Sequence, residues 1–511
     1  MKLKMIGLLT FIILVLAACS SKQDGDMSST DKENNKVKEE VEAVKSTNTE
    51  TLKGNEFTIV AKEATHQLNN DVSVNAWTFN GSVPGSQIRV MEGEKVKIHL
   101  KNELPDPVSI HWHGITVPNN MDGIPGVTQN AVKPGETFTY EFTPKDPGTY
   151  MYHTHQDGVN QLDKGLYGSF IVEPKEKTYD RDYSLMLDEW MSNPEEAMDM
   201  GDSNDMEGMD MGNDNSGDKM MDDMSAYDIY TINGKSGDSV ESLKVREGET
   251  VRIRLANIGY MTHKMHLHGH KFKVVAIDGQ ELNKPEEIKD ELISIAPGER
   301  YDIEFVADNP GEWLLECHGK MEGTDGMKVK LQYEGSTKST DKSNQEKDLP
   351  EFTYTNYGSK KESEFTLNQT YNVEYTMNLN TEMKNNALAY TINGKTFPDT
   401  ENINVKEGDL VKVKLVNNSK SDDHPMHLHG TFFQILSKNG KPLEGSPIIK
   451  DTVNLKPGDE YVIAFKADNP GNWLFHCHDL HHASAGMVTQ VKYMDFKPDF
   501  IPDENAKNKP E

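Results

Sequence analysis

A chain of 511 residues is long enough for about three or four domains of ordinary size. Its formal charge of −29 makes nucleic acid and anionic surfaces poor partners and cations good ones. Its three cysteines, Cys19, Cys317 and Cys477, are too few and odd in number for a disulfide-stapled scaffold, so each needs its own explanation.

Lys2 and Lys4 precede an apolar run from Met5 to Ala18, shorter than a membrane span and of signal-peptide length. The run ends in Leu16-Ala17-Ala18-Cys19, which resembles a bacterial lipobox. That resemblance implies a lipoprotein signal peptide over 1–18, cleavage before Cys19 and lipid attached to its thiol. The protein is then expected to be extracytoplasmic, held by its lipid on the outer face of a bacterial cell membrane. Residues 19–50 are polar and charged with almost nothing apolar, a composition that cannot bury a core and reads as a disordered tether.

From there one unit is written three times. FNGSVPGSQIRVMEGEKVKIHLKN (79–102), YTINGKSGDSVESLKVREGETVRIRLAN (230–257) and YTINGKTFPDTENINVKEGDLVKVKLVN (390–417) each carry an N-G turn, an E-G turn and an alternating strand. Later halves repeat as VKPGETFTYEFTPKDPGTYMYHTH (132–155), IAPGERYDIEFVADNPGEWLLECHGK (295–320) and LKPGDEYVIAFKADNPGNWLFHCHDL (455–480). Short alternating strands spaced by P-G, N-G and N-P-G turns predict an all-β chain of antiparallel sandwiches with no long amphipathic helix. The domains are expected over 51–174, 182–335 and 351–493, with a polar linker at 336–350 and a charged tail at 494–511. The second is interrupted by a Met/Asp-rich insert at 191–224, including MDMGDSNDMEGMDMG, which supports no core and reads as a loop.

Four motifs hold paired histidines: HWHG (His111, His113), HTH (His153, His155), HLHG (His427, His429) and HCH (His476, His478). Residues two apart on a strand share a face, so each pair points one way. By the same parity His424 and Cys477 lie on the opposite face, with His482 and Met487 following. Cys, His and a thioether together suit a blue-copper electron-transfer centre, and grouped imidazoles suit copper as well.

In type, order and spacing these motifs resemble the three-domain multicopper oxidases, the family of laccases and cuprous oxidases, and the repeats resemble their cupredoxin-like Greek-key sandwiches. The resemblance implies four copper ions. Type 1 copper falls to His424, Cys477, His482 and axial Met487. Type 2 copper falls to His111 and His427, and the binuclear type 3 pair to His113, His153, His155, His429, His476 and His478. It also implies electron transfer through Cys477 and reduction of O2 to two waters. Asp122, in MDGIPGVTQ, matches the family's acidic proton relay, and is equally a turn residue before Gly123. Relatives often carry an acid just before the last type 1 histidine; here that position is His481.

The middle repeat is degenerate. His263, Cys317 and Met327 mirror the type 1 set, while Glu316 and Glu322 stand where His476 and His482 stand in the third repeat. It is either a relic of duplication or a weaker fourth copper centre. The expected reductant is Cu(I), in copper tolerance. The insert methionines, among them Met206, Met209 and Met211, offer soft thioethers, and Asp422 and Asp423 precede His424, where they could dock a cation. Phenol oxidation of the laccase kind, or copper sequestration without catalysis, are the alternatives.

Overall fold

The computed structural model describes residues 45–46, 48–193, 226–336, 338, 348–384 and 387–510. Cys19, Met206, Met209 and Met211 lie outside the described residues, as does most of the insert. Among the described residues no helix is long and apolar enough to cross a membrane.

Strands follow the period-2 pattern. In Glu56–Gln67, Phe57, Ile59 and Ala61 turn inward between exposed or half-exposed neighbours, and in Leu410–Asn417, Val411, Val413 and Leu415 do the same. Among the described residues the strands form six sheets, which fall in sequence into three pairs. The first pair joins two four-stranded sheets. One contains Glu56–Gln67 and Val96–Asn102; the other contains Gly148–His153 and Tyr167–Glu173. The second and third pairs repeat one another. In the second, His263–Leu267 lies between Ile293–Ile295 and Glu312–Cys317; in the third, His424–Leu428 lies between Thr452–Leu455 and Asn472–Cys477.

The register repeats residue for residue. Met265 faces Cys317 and His266 faces Glu316, as Met426 faces Cys477 and His427 faces His476. The fold is all-β. One expectation needs correction: the sheets are mixed. Glu56–Gln67 runs parallel to Val96–Asn102, Arg181–Trp190 to Thr250–Asn257, and Val373–Lys384 to Leu410–Asn417. Turn signals reveal hairpins only; parallel partners are joined by long crossovers that leave no local mark.

Described helices are short: Gly158–Asp163 and Leu480–Ser484. The second matters most. Asp479 caps it by accepting from the His481 amide at 3.1 Å. This single turn carries the chain back over the strand that ends at Cys477, and the Cys477 amide donates to the Met487 carbonyl at 3.0 Å. The charged tail is ordered where it reaches the first sheet pair. Gln156 donates to the Lys507 carbonyl, Asp157 to the Lys509 carbonyl, and the Asn508 amide oxygen accepts from the Ala131 backbone.

Candidate metal centre

The strand Asn472–Cys477 is buried on both faces because each face meets a polar cluster or a core. On the Cys477 face, His424 Nδ1 lies 3.2 Å from His482 Nδ1, and the Cys477 sulfur lies 3.9 Å and 3.5 Å from those two nitrogens. Both imidazoles are engaged from behind. His424 Nε2 lies 2.7 Å from the Ser419 hydroxyl, and His482 Nε2 lies 3.3 Å from Asp479 Oδ2. With Nε2 so engaged, the Nδ1 lone pairs converge on each other and on the sulfur, an arrangement that repels unless an electrophile sits between them. The donor set and its spacing fit a trigonal His2Cys copper site. Burial pushes the Cys477 thiol up, and Asp479, Asp423 and Asp422 push it further, so metal loading must displace its proton. Met487 is fully buried beside this group, and Tyr390 stacks on His482 with ring centres 3.9 Å apart.

On the opposite face the eight paired imidazoles converge, and their donor nitrogens sort into three groups, the first two sharing His113: His111, His113 and His427; His113, His153 and His478; and His155, His429 and His476. Backbone carbonyls fix many of the tautomers. Nδ1 of His111 donates to the Asp122 carbonyl, that of His153 to Thr154, and that of His476 to Cys477. His427 Nδ1 lies 3.1 Å from the Asp451 carbonyl. Among the described residues, Nε2 of His111, His153 and His427 and Nδ1 of His478 are buried with no hydrogen-bond partner. His429 Nε2 and His476 Nε2 confront each other at 2.9 Å, and His113 Nδ1 and His478 Nε2 at 3.1 Å. Because Nδ1 of His429 donates to Asp122 and Nδ1 of His476 to the Cys477 carbonyl, their facing Nε2 atoms have no hydrogen between them, which is costly in an apoprotein and suits a bound cation. Burial first, and then repulsion between neighbouring imidazoles, hold His155, His429 and His478 well below the usual histidine range, in the neutral form that ligates.

Asp122 is buried in this cluster. Its Oδ2 accepts from His429 Nδ1 at 3.0 Å and its Oδ1 lies 3.3 Å from His111 Nδ1. It also has its turn: Gly123 has φ of +82° and a Cβ there would lie 1.8 Å from the Ile110 carbonyl oxygen. Asp422 and Asp423 are half-buried next to His424; Asp422 accepts from Thr381 at 2.6 Å and Asp423 from Asn454 at 2.8 Å.

Sequence reasoning missed a second layer supplied by the middle repeat. Arg300 clasps Asp451 with two hydrogen bonds of 2.6 Å, and both side chains are inaccessible to solvent. Asp451 Oδ1 lies 3.2 Å from His113 Nε2 and 3.4 Å from His427 Nδ1, and it accepts from the Thr452 hydroxyl at 2.8 Å. Burial alone would push the Asp451 carboxyl up; the Arg300 guanidinium instead holds it well below the usual carboxylate range. Gly298, at φ +83°, lets the same turn approach the cluster, where a Cβ would lie 2.9 Å from the His478 ring. The middle repeat therefore holds the cluster in place from behind.

The mirrored sulfur site of that repeat is different. His263 Nε2 meets Glu189 at 3.0 Å instead of a second imidazole, and Glu322 is exposed. Burial opposes the His263 cation, but Cys317 and Glu189 outweigh it and raise His263 to about 10.

Sequence profiles described as "Multicopper oxidase" match residues 60–177, and residues 209–335 and 364–496. The chain is 31% identical over 441 residues to multicopper oxidase MmcO of Mycobacterium tuberculosis, covering 82% of this chain and 84% of that protein. It is 26% identical over 557 residues to the copper resistance protein A homolog of Pseudomonas syringae pv. tomato, covering 86% and 92%. A solved multi-copper oxidase from Pseudomonas thermotolerans superposes with a TM-score of 0.63 at 25% identity, covering 87% of this chain and all of that one.

Proposed function

This chain belongs to the multicopper oxidase family, oxidoreductases that use O2, and we propose that it is a cuprous oxidase serving copper tolerance. His424, Cys477, His482 and Met487 hold type 1 copper, and His111 and His427 hold type 2. The triads His113–His153–His478 and His155–His429–His476 hold the type 3 pair. Bound there, the four coppers supply one-electron uptake on one side and the four-electron reduction of O2 to two waters on the other.

The protein's own contribution follows from its geometry. The segment His476-Cys477-His478 joins the two centres by peptide bonds, with alternate side chains facing each. Ser419 and Asp479 orient the type 1 imidazoles; Asp122 and Asp451 orient those of the cluster. Asp122, whose carboxylate touches two cluster histidines, relays protons through its Oδ1 and Oδ2. Lipid on Cys19 places the protein outside the cytoplasmic membrane.

One observation carries the choice of Cu(I). The chain returns from the Met/Asp-rich insert to the described structure at 226, and Tyr227 is buried, donates to Asp163, and lies 6.4 Å, ring to ring, from His481, the neighbour of His482. Trp190 and Ile229 pair across the base of the insert, and Ser192 donates to Asp228, so both of its ends are tied near the type 1 loop. The described ends of the insert thus lie near the site of electron uptake, with Asp422 and Asp423 adjacent to it, and the thioethers and carboxylates in the insert's sequence are donors that suit copper. The copper resistance name of a relative points the same way. The test is steady-state O2 uptake with Cu(I), Fe(II) and a phenol, on wild type and on a protein lacking residues 194–224. Loss of Cu(I) turnover with phenol turnover retained is expected. Unchanged Cu(I) turnover with rapid phenol oxidation identifies a laccase, and copper retention without any O2 uptake identifies a sequestering protein.

A further inference from the structure

The middle repeat keeps the other face of its metal-binding architecture. Because its register matches that of the third repeat, His266, His268, Glu316 and His318 occupy the places that His427, His429, His476 and His478 hold there. They match the third repeat's half of the eight-imidazole cluster, with one imidazole exchanged for a carboxylate. Donor atoms of His266, His268 and His318 lie within 4.8 Å of one another. His268 Nε2 is 2.9 Å from Glu316 Oε1 and 3.5 Å from His318 Nε2, and His318 Nε2 is 3.8 Å from Glu316 Oε1.

Those edges have the size of a coordination polyhedron. Donors bonded at about 2.0–2.1 Å to one tetrahedral ion stand about 3.3–3.4 Å apart. His266 supplies an independent sign. It is buried, its ring centre lies 4.1 Å from that of His268, and neither of its ring nitrogens has a hydrogen-bond partner among the described residues. A packing histidine would satisfy at least one of them; a metal ligand is held ready for a cation. Asp290 Oδ1 lies 3.8 Å from His266 Nε2 on an exposed side chain, giving a way in from solvent.

We propose that His266, His268, His318 and Glu316 form a mononuclear site for a divalent first-row ion of borderline softness, Cu(II) or Zn(II). Three imidazoles and one carboxylate suit such ions, with Cu(II) the tighter of the two. The site is separate from the Cys317 side of the same strands, since parity places its ligands on the opposite face. It does not depend on which reductant the enzyme uses.

The probe is Zn(II), which is redox-inert. Four-copper protein is dialysed against Zn(II), freed of loose metal, and assayed for zinc and copper per chain. Wild type is expected to hold one more zinc than H268A/H318A, while both keep four coppers and equal O2 uptake. Zinc on the acidic insert is common to both proteins and cancels in the difference. Anomalous scattering at the zinc edge from wild-type crystals should place a peak among these four side chains, and that map decides the matter even if the double variant does not fold. Equal zinc in the two proteins, or no peak at this position, overturns the proposal.

Discussion

Replacing Arg300 with Met removes one half of a fully buried ion pair while keeping most of its aliphatic stem. Asp451 then keeps the Thr452 hydroxyl at 2.8 Å and His113 Nε2 at 3.2 Å, but loses both 2.6 Å guanidinium bonds. A carboxylate left buried without its cation costs about 3–5 kcal/mol. At about 2–4 °C per kcal/mol, the apoprotein unfolding midpoint should fall by roughly 6–20 °C, towards the low end for so long a chain. The same change frees Asp451 to move under His113 and His427, so copper affinity at those ligands should drop about 10–100-fold, as for other residues that orient metal-bound imidazoles. Calorimetry of the apoprotein and copper-per-chain analysis of the reconstituted protein read the two effects separately. The double variant R300M/D451N removes the orphaned charge and should recover at least half of the lost stability. A midpoint for R300M within 2 °C of wild type, by the ~2–4 °C per kcal/mol above, together with full copper retention, would refute the argument that the middle repeat supports the cluster electrostatically.

Three further outcomes are expected. S419A leaves His424 Nε2 buried without its 2.7 Å partner; a loss of about 1–3 kcal/mol in apoprotein stability is expected, with faster removal of type 1 copper by a chelator, followed by the decay of blue absorbance. G298A forces a Cβ to 2.9 Å from the His478 ring at a φ of +83°; O2 uptake and cluster copper should fall while blue absorbance survives. Glu351 bridges Lys264 at 2.6 Å and Lys456 at 2.8 Å, and the two lysines, against the opposing effect of burial, draw its carboxyl down from 4.5 to about 2. A depressed folded-state pKa gives stability that is present above about 4.5 and lost as pH falls towards 2. The urea midpoint difference between wild type and E351Q should thus be small at pH 6, below about 1 kcal/mol because the group is partly exposed, and should shrink at pH 3; an equal difference at both pH values contradicts the assignment.

What could be read in advance divides along physical lines. Parity on strands was sufficient to separate the His111–His478 set from the His424, Cys477 and His482 set, because the side-chain period of 2 survives any detail of packing. The repeats foretold that His427 and His266 would find the same register. Ser419, Asp451 and Arg300 were not legible: Arg300 meets Asp451 across 151 positions, and nothing local distinguishes either from a surface ion. Parallel strand pairs were missed for the same reason, being made by crossovers. The His266–His268–His318 group follows the same parity, since Glu316 and His318 flank Cys317 and face the other side of its strand.

The cluster draws its imidazoles from two stretches, 111–155 and 427–478, and none of its three donor groups is complete within either. Closing a loop of that length is slow, and its contacts come last. During synthesis the chain therefore carries at most half a cluster until the third sheet pair has folded against the first. Capture of metal by all eight imidazoles is therefore a report on completed folding.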